Sequence, residues 1–265
     1  MSPDGPPTPP YRPLPVAVVR IPDELPTTSA AFTEDVRAAL GVWRKHPALP
    51  LATTFFAAVT AAASSSWSGA GVAGLVAVVF LGWVGSERLW YLRAYTGRTL
   101  ALRAALRASP TYWGRFVALA FWVGVLTSPL YIPALVYGGA FDEESRGTQA
   151  HLGTWALVYL AVGSLVTDFL LTFVTPAIVF NTRRARSAMK IGLRLLRLTW
   201  PHAALYVLFP PLAVLLLTRF SQGPVGWSGA ALIVISTLVN LLAKGAVTSY
   251  YLRLMPVTEP DGDID

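Results

Sequence analysis

Two polar stripes set in otherwise apolar sequence are the residues of this chain best placed to do chemistry. Ser164, Asp168, Thr172 and Thr175 follow one another at steps of four, four and three, and Asn240, Lys244, Thr248 and Tyr251 repeat those steps. On an α-helix each set falls on one face. Asp168 and Lys244 stand inside long apolar runs, where a charge at mid-bilayer costs about 2.5 to 3.5 kcal/mol unless it is paired or hydrated. Asp168 comes 17 residues after His151 and Lys244 comes 17 after Trp227, so both sit roughly 25 Å in from an outer boundary at about 1.5 Å per residue. Equal depth and equal direction predict an ion pair between Asp168 and Lys244, with Ser164 beside Asn240 and with Thr172 and Thr248 continuing the stripes. Three readings stay open for these charges: the pair fixes helix packing and register, it serves transport or a proton relay, or the two are independent and Lys244 snorkels to the inner face. Glu87 and Arg88, 20 and 21 residues after Trp67, read as residues of the inner interface.

The sequence lacks the motifs of several other chemistries. Cysteine is absent, which excludes disulfides, thiolate metal sites, thiol catalysis and S-acylation together. His46, His151 and His202 all stand at predicted membrane boundaries, with no His-Glu-x-x-His zinc motif. No Gly-x-x-x-x-Gly-Lys-Ser/Thr phosphate loop occurs, and Gly226-Trp227-Ser228-Gly229 has the wrong spacing for a nucleophile elbow. No catalytic, cofactor-binding or metal-binding residue is therefore assigned, no cofactor is expected, and the expectation is a protein that is not an enzyme.

The elements that position the stripes follow from composition. The chain has 265 residues, 54% of them hydrophobic and only 13% charged, outside the usual range for a soluble globular domain. The apolar residues cluster in runs near the ~20 residues that span ~30 Å of hydrocarbon. These lie at roughly Leu49 to Ser65, Ala70 to Tyr91, Phe116 to Tyr137, Leu152 to Phe180, Ala203 to Thr218 and Gly229 to Leu252. The expected fold is all-α, a polytopic membrane protein of about six transmembrane helices arranged as three hairpins with cytoplasmic amphipathic helices. Trp67, Trp90, Tyr91, Trp113, Trp200, Trp227 and Tyr250 gather near the run ends, as an aromatic belt does. Eighteen Lys and Arg residues flank the runs on one side, against Arg146 and Arg219 on the other. By the positive-inside rule both termini are cytoplasmic, and the hairpin carrying Asp142, Glu143 and Glu144 is external. The net charge of +7 is read as topology, with anionic lipid headgroups as its partner and no role in binding nucleic acid.

Nine of the 21 prolines fall between Pro3 and Pro26, so residues 1–28 read as a disordered cytoplasmic tail with no cleavable signal peptide, and the first apolar run as an uncleaved anchor. Residues 29–254 form the membrane domain and 255–265 an acidic cytoplasmic tail. Thr33 is expected to cap a surface helix with Glu34 and Asp35 in its first turn and Arg44 and Lys45 in its last, before Pro47 ends it. Basic stretches precede the first, third and fifth runs, which suggests an internal repeat. In the clearest, Arg186, Lys190, Arg194 and Arg197 share a face while Met189, Leu193, Leu196 and Trp200 line another, as for a helix in the headgroup plane. The segment from Arg98 to Trp113 is a weaker copy.

Thr175, Pro176, Ala177, Ile178 and Val179, then the basic Arg184 to Leu198, then Thr199, Trp200 and a new run, resemble a recurrent segment of certain bacterial membrane domains. These are the six-helix domains fused to some glycerophosphodiester phosphodiesterases, and their uncharacterised stand-alone relatives. Phe180 and Asn181 stand where those proteins carry an acidic residue. The resemblance implies a six-span bacterial membrane domain and carries no phosphodiesterase activity. The expected function is non-enzymatic interaction with membrane lipids and other membrane proteins in a bacterial cell membrane. The alternative is a transporter or permease component working through a polar interface between the fourth and sixth spans.

Overall fold

A computed structural model of the chain describes residues 28–64, 70–137, 154–220 and 225–255, and every element among them is an α-helix. In chain order these are α1 (Thr28–Lys45), α2 (Ala48–Ser64), α3 (Ala70–Tyr95), α4 (Leu102–Tyr137), α5 (Thr154–Leu171), α6 (Val174–Phe180), α7 (Ala185–Phe220) and α8 (Val225–Leu254). Among the described residues three stretches are long and apolar enough to cross a membrane: Val158–Phe180, Ala185–Leu216 and Ala231–Leu254. The proline-rich residues 1–27, the acidic residues 142–144 and the terminal residues 256–265 lie outside the described residues.

The breaks between helices have local causes. Pro47 separates α1 from α2, with the Leu49 amide already bonded back to His46. Gly97 closes α3 at φ 77°, where a left-handed residue lets the Arg98 amide return to the Arg93 carbonyl at 2.7 Å. The fourth expected span is not one continuous helix. Pro176 has no N–H to give the Thr172 carbonyl, so the helix stops at Leu171 and restarts at Val174, which places Pro176 in the first turn of α6 where no donor is needed. Thr199 (φ −129°, ψ 29°) kinks α7 just before Pro201, dividing a basic first half from an apolar second half.

Three surface expectations are corrected. The basic segment before the third run is no separate element: Arg103, Arg107 and the apolar stretch belong to one 36-residue helix, α4, with Pro110 inside it. Thr33 does not stand at a helix start, because α1 begins five residues earlier at Thr28. Trp90, Tyr91 and Tyr250, expected in an aromatic belt, are buried in the core, whereas Trp113 and Trp200 are exposed. The rings of the core trio are taken up by helix packing before any interface can claim them.

The core lies where α3 packs on α4 and α8, and where α8 packs on α1, α2 and α7. Trp83, Tyr91, Tyr112, Phe173, Phe180 and Tyr251 fill it. The outer surface is apolar as well, with Phe55, Phe121, Leu126, Val158, Val162, Leu212 and Leu216 exposed. A core and a surface that are both apolar suit a hydrocarbon solvent.

Candidate functional site: a charged cluster between α3 and α8

One face of α3 carries Trp83, Glu87, Tyr91 and Tyr95 at four-residue intervals, with Arg88 beside Glu87. This face meets α8, and its side chains donate to the α8 backbone. The Tyr91 hydroxyl bonds the Leu241 carbonyl at 3.0 Å, the Tyr95 hydroxyl bonds Gly245 at 3.0 Å, and Arg88 Nη1 bonds Lys244 at 2.6 Å. Gly245 makes the approach possible, since a methyl built on it would stand 2.5 Å from the Tyr91 ring and 2.8 Å from the Ala39 methyl of α1. Trp43 of α1 donates to the Tyr91 hydroxyl at 2.6 Å, tying a third helix in.

Glu87 is the centre of the electrostatics. Its side chain is 0% exposed, and Oε2 lies 2.6 Å from Lys244 Nζ. Oε1 accepts from Thr53 of α2 at 2.8 Å, and Thr53 accepts in turn from Trp83 Nε1 at 3.0 Å. A buried carboxylate holding a cation and a hydroxyl donor is compensated for its lost water. Arg88, 5% exposed, has no such partner: besides the Lys244 carbonyl it reaches Thr248 Oγ1 at 2.8 Å and Thr175 Oγ1 of α6 at 3.0 Å, all neutral oxygens. The cluster thus holds two cations against one anion.

The ion pair expected between Asp168 and Lys244 is not formed. Lys244 turns to Glu87, while Asp168 is exposed on α5 and its side chain has no hydrogen bond or ion pair among the described residues. Equal depth and direction set how far in two residues lie but not which helices are neighbours: α5 packs on α4, α6 and α7, whereas α8 packs on α1, α2, α3 and α7. The stripes also split. Ser164 and Asn240 are exposed; Thr172 is buried and bonds the Asp168 carbonyl at 2.9 Å, and Thr248 is buried against Arg88. Glu87 and Arg88, expected at the inner interface, instead form the interior of the site. Their signal in the sequence was the four-step series Trp83, Glu87, Tyr91, Tyr95, whose polar tips meet α2 at Trp83 and Glu87 and α8 at Glu87, Tyr91 and Tyr95.

A second cluster holds α1 against α7 and α8. Asp35, 1% exposed, forms an ion pair with Arg253 and accepts from the Tyr206 hydroxyl at 2.5 Å. Burial raises the Asp35 carboxyl above its ordinary range, opposed by hydrogen bonds from Ser249 and Tyr206 and by the Arg253 charge. His202, expected at a membrane boundary, is buried and stacked on Tyr250 with ring centroids 5.1 Å apart. Asn181, standing where the resemblance expects an acid, supplies a neutral acceptor to the Tyr251 hydroxyl at 2.7 Å.

The basic half of α7 docks differently from the expected headgroup helix. Its buried face is Ala185, Ala188, Gly192, Leu195 and Leu196, with Leu193 and Trp200 exposed. Small residues face inward because α6 passes close: a methyl on Gly192 would stand 2.7 Å from the Val174 backbone nitrogen. Arg186, Lys190, Arg194 and Arg197 project from the opposite side, and Arg186 rests over the Trp122 ring of α4 at 4.2 Å. Comparison with protein-family models, with curated protein sequences and with solved structures finds no match.

Proposed function

We propose that this chain is a non-enzymatic integral protein of a bacterial cell membrane that crosses the bilayer six times as three hairpins, with both termini in the cytoplasm. Its cytoplasmic face holds anionic lipid headgroups and presents them, with its own apolar flanks, to other membrane proteins. The observation that carries this reading is the exposed ridge of Arg186, Lys190, Arg194 and Arg197 on α7, flanked by exposed Leu193, Leu198 and Trp200. Such a helix seats apolar flanks in the acyl boundary while its cations meet phosphate, each contributing about 1 kcal/mol near an anionic surface. Docking on α6 through small residues fixes the height of the ridge. The alternative is a transporter or permease component built on a polar interface between the fourth and sixth spans; there Arg88 bridges Thr175 of α6 and Thr248 of α8, while Asp168 of α5 and Lys244 of α8 do not pair within the chain.

The test is lipid selectivity of the intact protein reconstituted in mixed phosphatidylglycerol and phosphatidylcholine bilayers. Spin-labelled phosphatidylglycerol should be enriched at the protein boundary relative to phosphatidylcholine, less so at high salt. The variant with Arg186, Lys190, Arg194 and Arg197 all changed to Gln should lose the enrichment. Equal boundary occupancy by both lipids in the wild-type protein would overturn the reading.

A further inference from the structure

Asp168 lies ten residues beyond Val158 and twelve before Phe180, the ends of the stretch able to cross a membrane. At about 1.5 Å per residue that is roughly 15 and 18 Å from either end, the middle of a bilayer. A Lys or Arg at this depth could snorkel along its stem, but an aspartate has no stem to do so. Its carboxylate is exposed on the outer side of α5 without a partner among the described residues, next to exposed Ser164 one turn away.

The complementary defect stands on α8. Lys244 has three ammonium protons, gives one to Glu87, and keeps 26% of its side chain exposed. Arg88 behind it adds a second cation that meets only neutral oxygens. Asn240, one turn outward, is exposed as Ser164 is. Lys244 lies 13 residues beyond Ala231 and ten before Leu254, close to the depth of Asp168.

We propose that Asp168 pairs with Lys244 of a second copy of this chain, so that the α5 face of one protomer docks on the α8 face of the next. The inference rests on the reading that the chain spans a bilayer with α5 and α8 running the same way. A second copy is favoured over a foreign partner by charge. The outward excess of one anion at Asp168 and of one cation at the Glu87, Arg88 and Lys244 cluster cancel, so the chain supplies both halves of the contact. The contact is heterologous and closes into a ring or runs on as an open array.

The absence of cysteine makes the test clean. Full-length Ser164→Cys and Asn240→Cys chains with different tags are co-expressed and oxidised in their native membranes. The expected product is a mixed disulfide carrying both tags, reduced at least tenfold when Asp168→Asn is added to the first chain. A chain carrying both cysteines should give a ladder beyond the dimer. If Ser164→Cys does not accumulate, Ala161→Cys, also exposed, takes its place. Disulfides only between copies of the Ser164→Cys chain, or none at all, in protein that resists carbonate extraction overturn this inference alone. Release of the wild-type chain by carbonate overturns the membrane reading and this inference with it.

Discussion

Removing Glu87 should cost more than removing Lys244, although the two form one ion pair. Glu87 is wholly buried and is the sole anion of a cluster that also holds Lys244 and Arg88. Glu87→Gln keeps an amide oxygen for Thr53 but raises the local charge from +1 to +2. Stranding buried charge in this way costs about 3 to 5 kcal/mol. Lys244→Met lowers the local charge to zero, leaves Glu87 its Thr53 bond and neighbouring Arg88, and keeps the α8 carbonyl that Arg88 uses. What is lost is one charged hydrogen bond, about 1.5 to 3 kcal/mol. The double variant restores a charge of +1 and should be no less stable than Glu87→Gln alone, a coupling of about 2 kcal/mol. Reversible unfolding of the three purified variants in mixed micelles measures all the terms of the cycle. The reasoning is refuted if Lys244→Met is the costlier single change, or if the double variant equals the sum of the singles within about 0.5 kcal/mol.

Other outcomes follow from the remaining contacts. Gly245→Ala should destabilise by about 1 to 3 kcal/mol, since the methyl has only the buried Tyr91 ring and Ala39 to displace; the same unfolding assay reads it. Gly192→Ala should loosen the basic half of α7 from α6, raising hydrogen exchange across residues 185–198 more than in α3. Arg253→Met leaves Asp35 buried beside Tyr206 without its cation, so α1 should undock more often and trypsin should cut at Arg44 and Lys45 faster than in wild-type protein. The folded-state pKa of Asp35 is raised, so its protonation favours the folded state: that contribution is full below the unfolded pKa near 3.8 and is lost as pH rises through the folded value. Wild-type protein should therefore gain stability relative to Asp35→Asn as pH falls from about 7 to about 4, and a relative loss would contradict the burial at this site.

What could be read from the sequence was governed by solvent, and what could not was governed by neighbours. The apolar run before Ser65 and the run ending at Leu252 correspond closely to α2 and α8, because length and hydropathy are properties of a segment alone. Asp168 and Lys244 were recognisable as unusual for the same reason. Which residue met which was hidden, since the rotation and adjacency of helices depend on contacts dispersed through the chain. Glu87, counted from Trp67, looked like an interface residue, and only the packing of α2 and α8 against α3 makes it the centre of the ionic network. Asp35 was assigned to a helix start by its position near Thr33, while its partner Arg253 stands 218 residues further on. The break at Thr172 is local, but Pro176 alone does not choose between a kink and two helices.

The clasp between Asp35 and Arg253 constrains the order of assembly. Helix α1 precedes the other described helices yet binds a groove whose far wall is α8, so during synthesis it must wait until α8 has left the ribosome. Until then its aspartate and apolar side stay without these partners. Closure of that clasp is the step that joins α1 to the last described helix, and a chain stalled before residue 253 cannot take it.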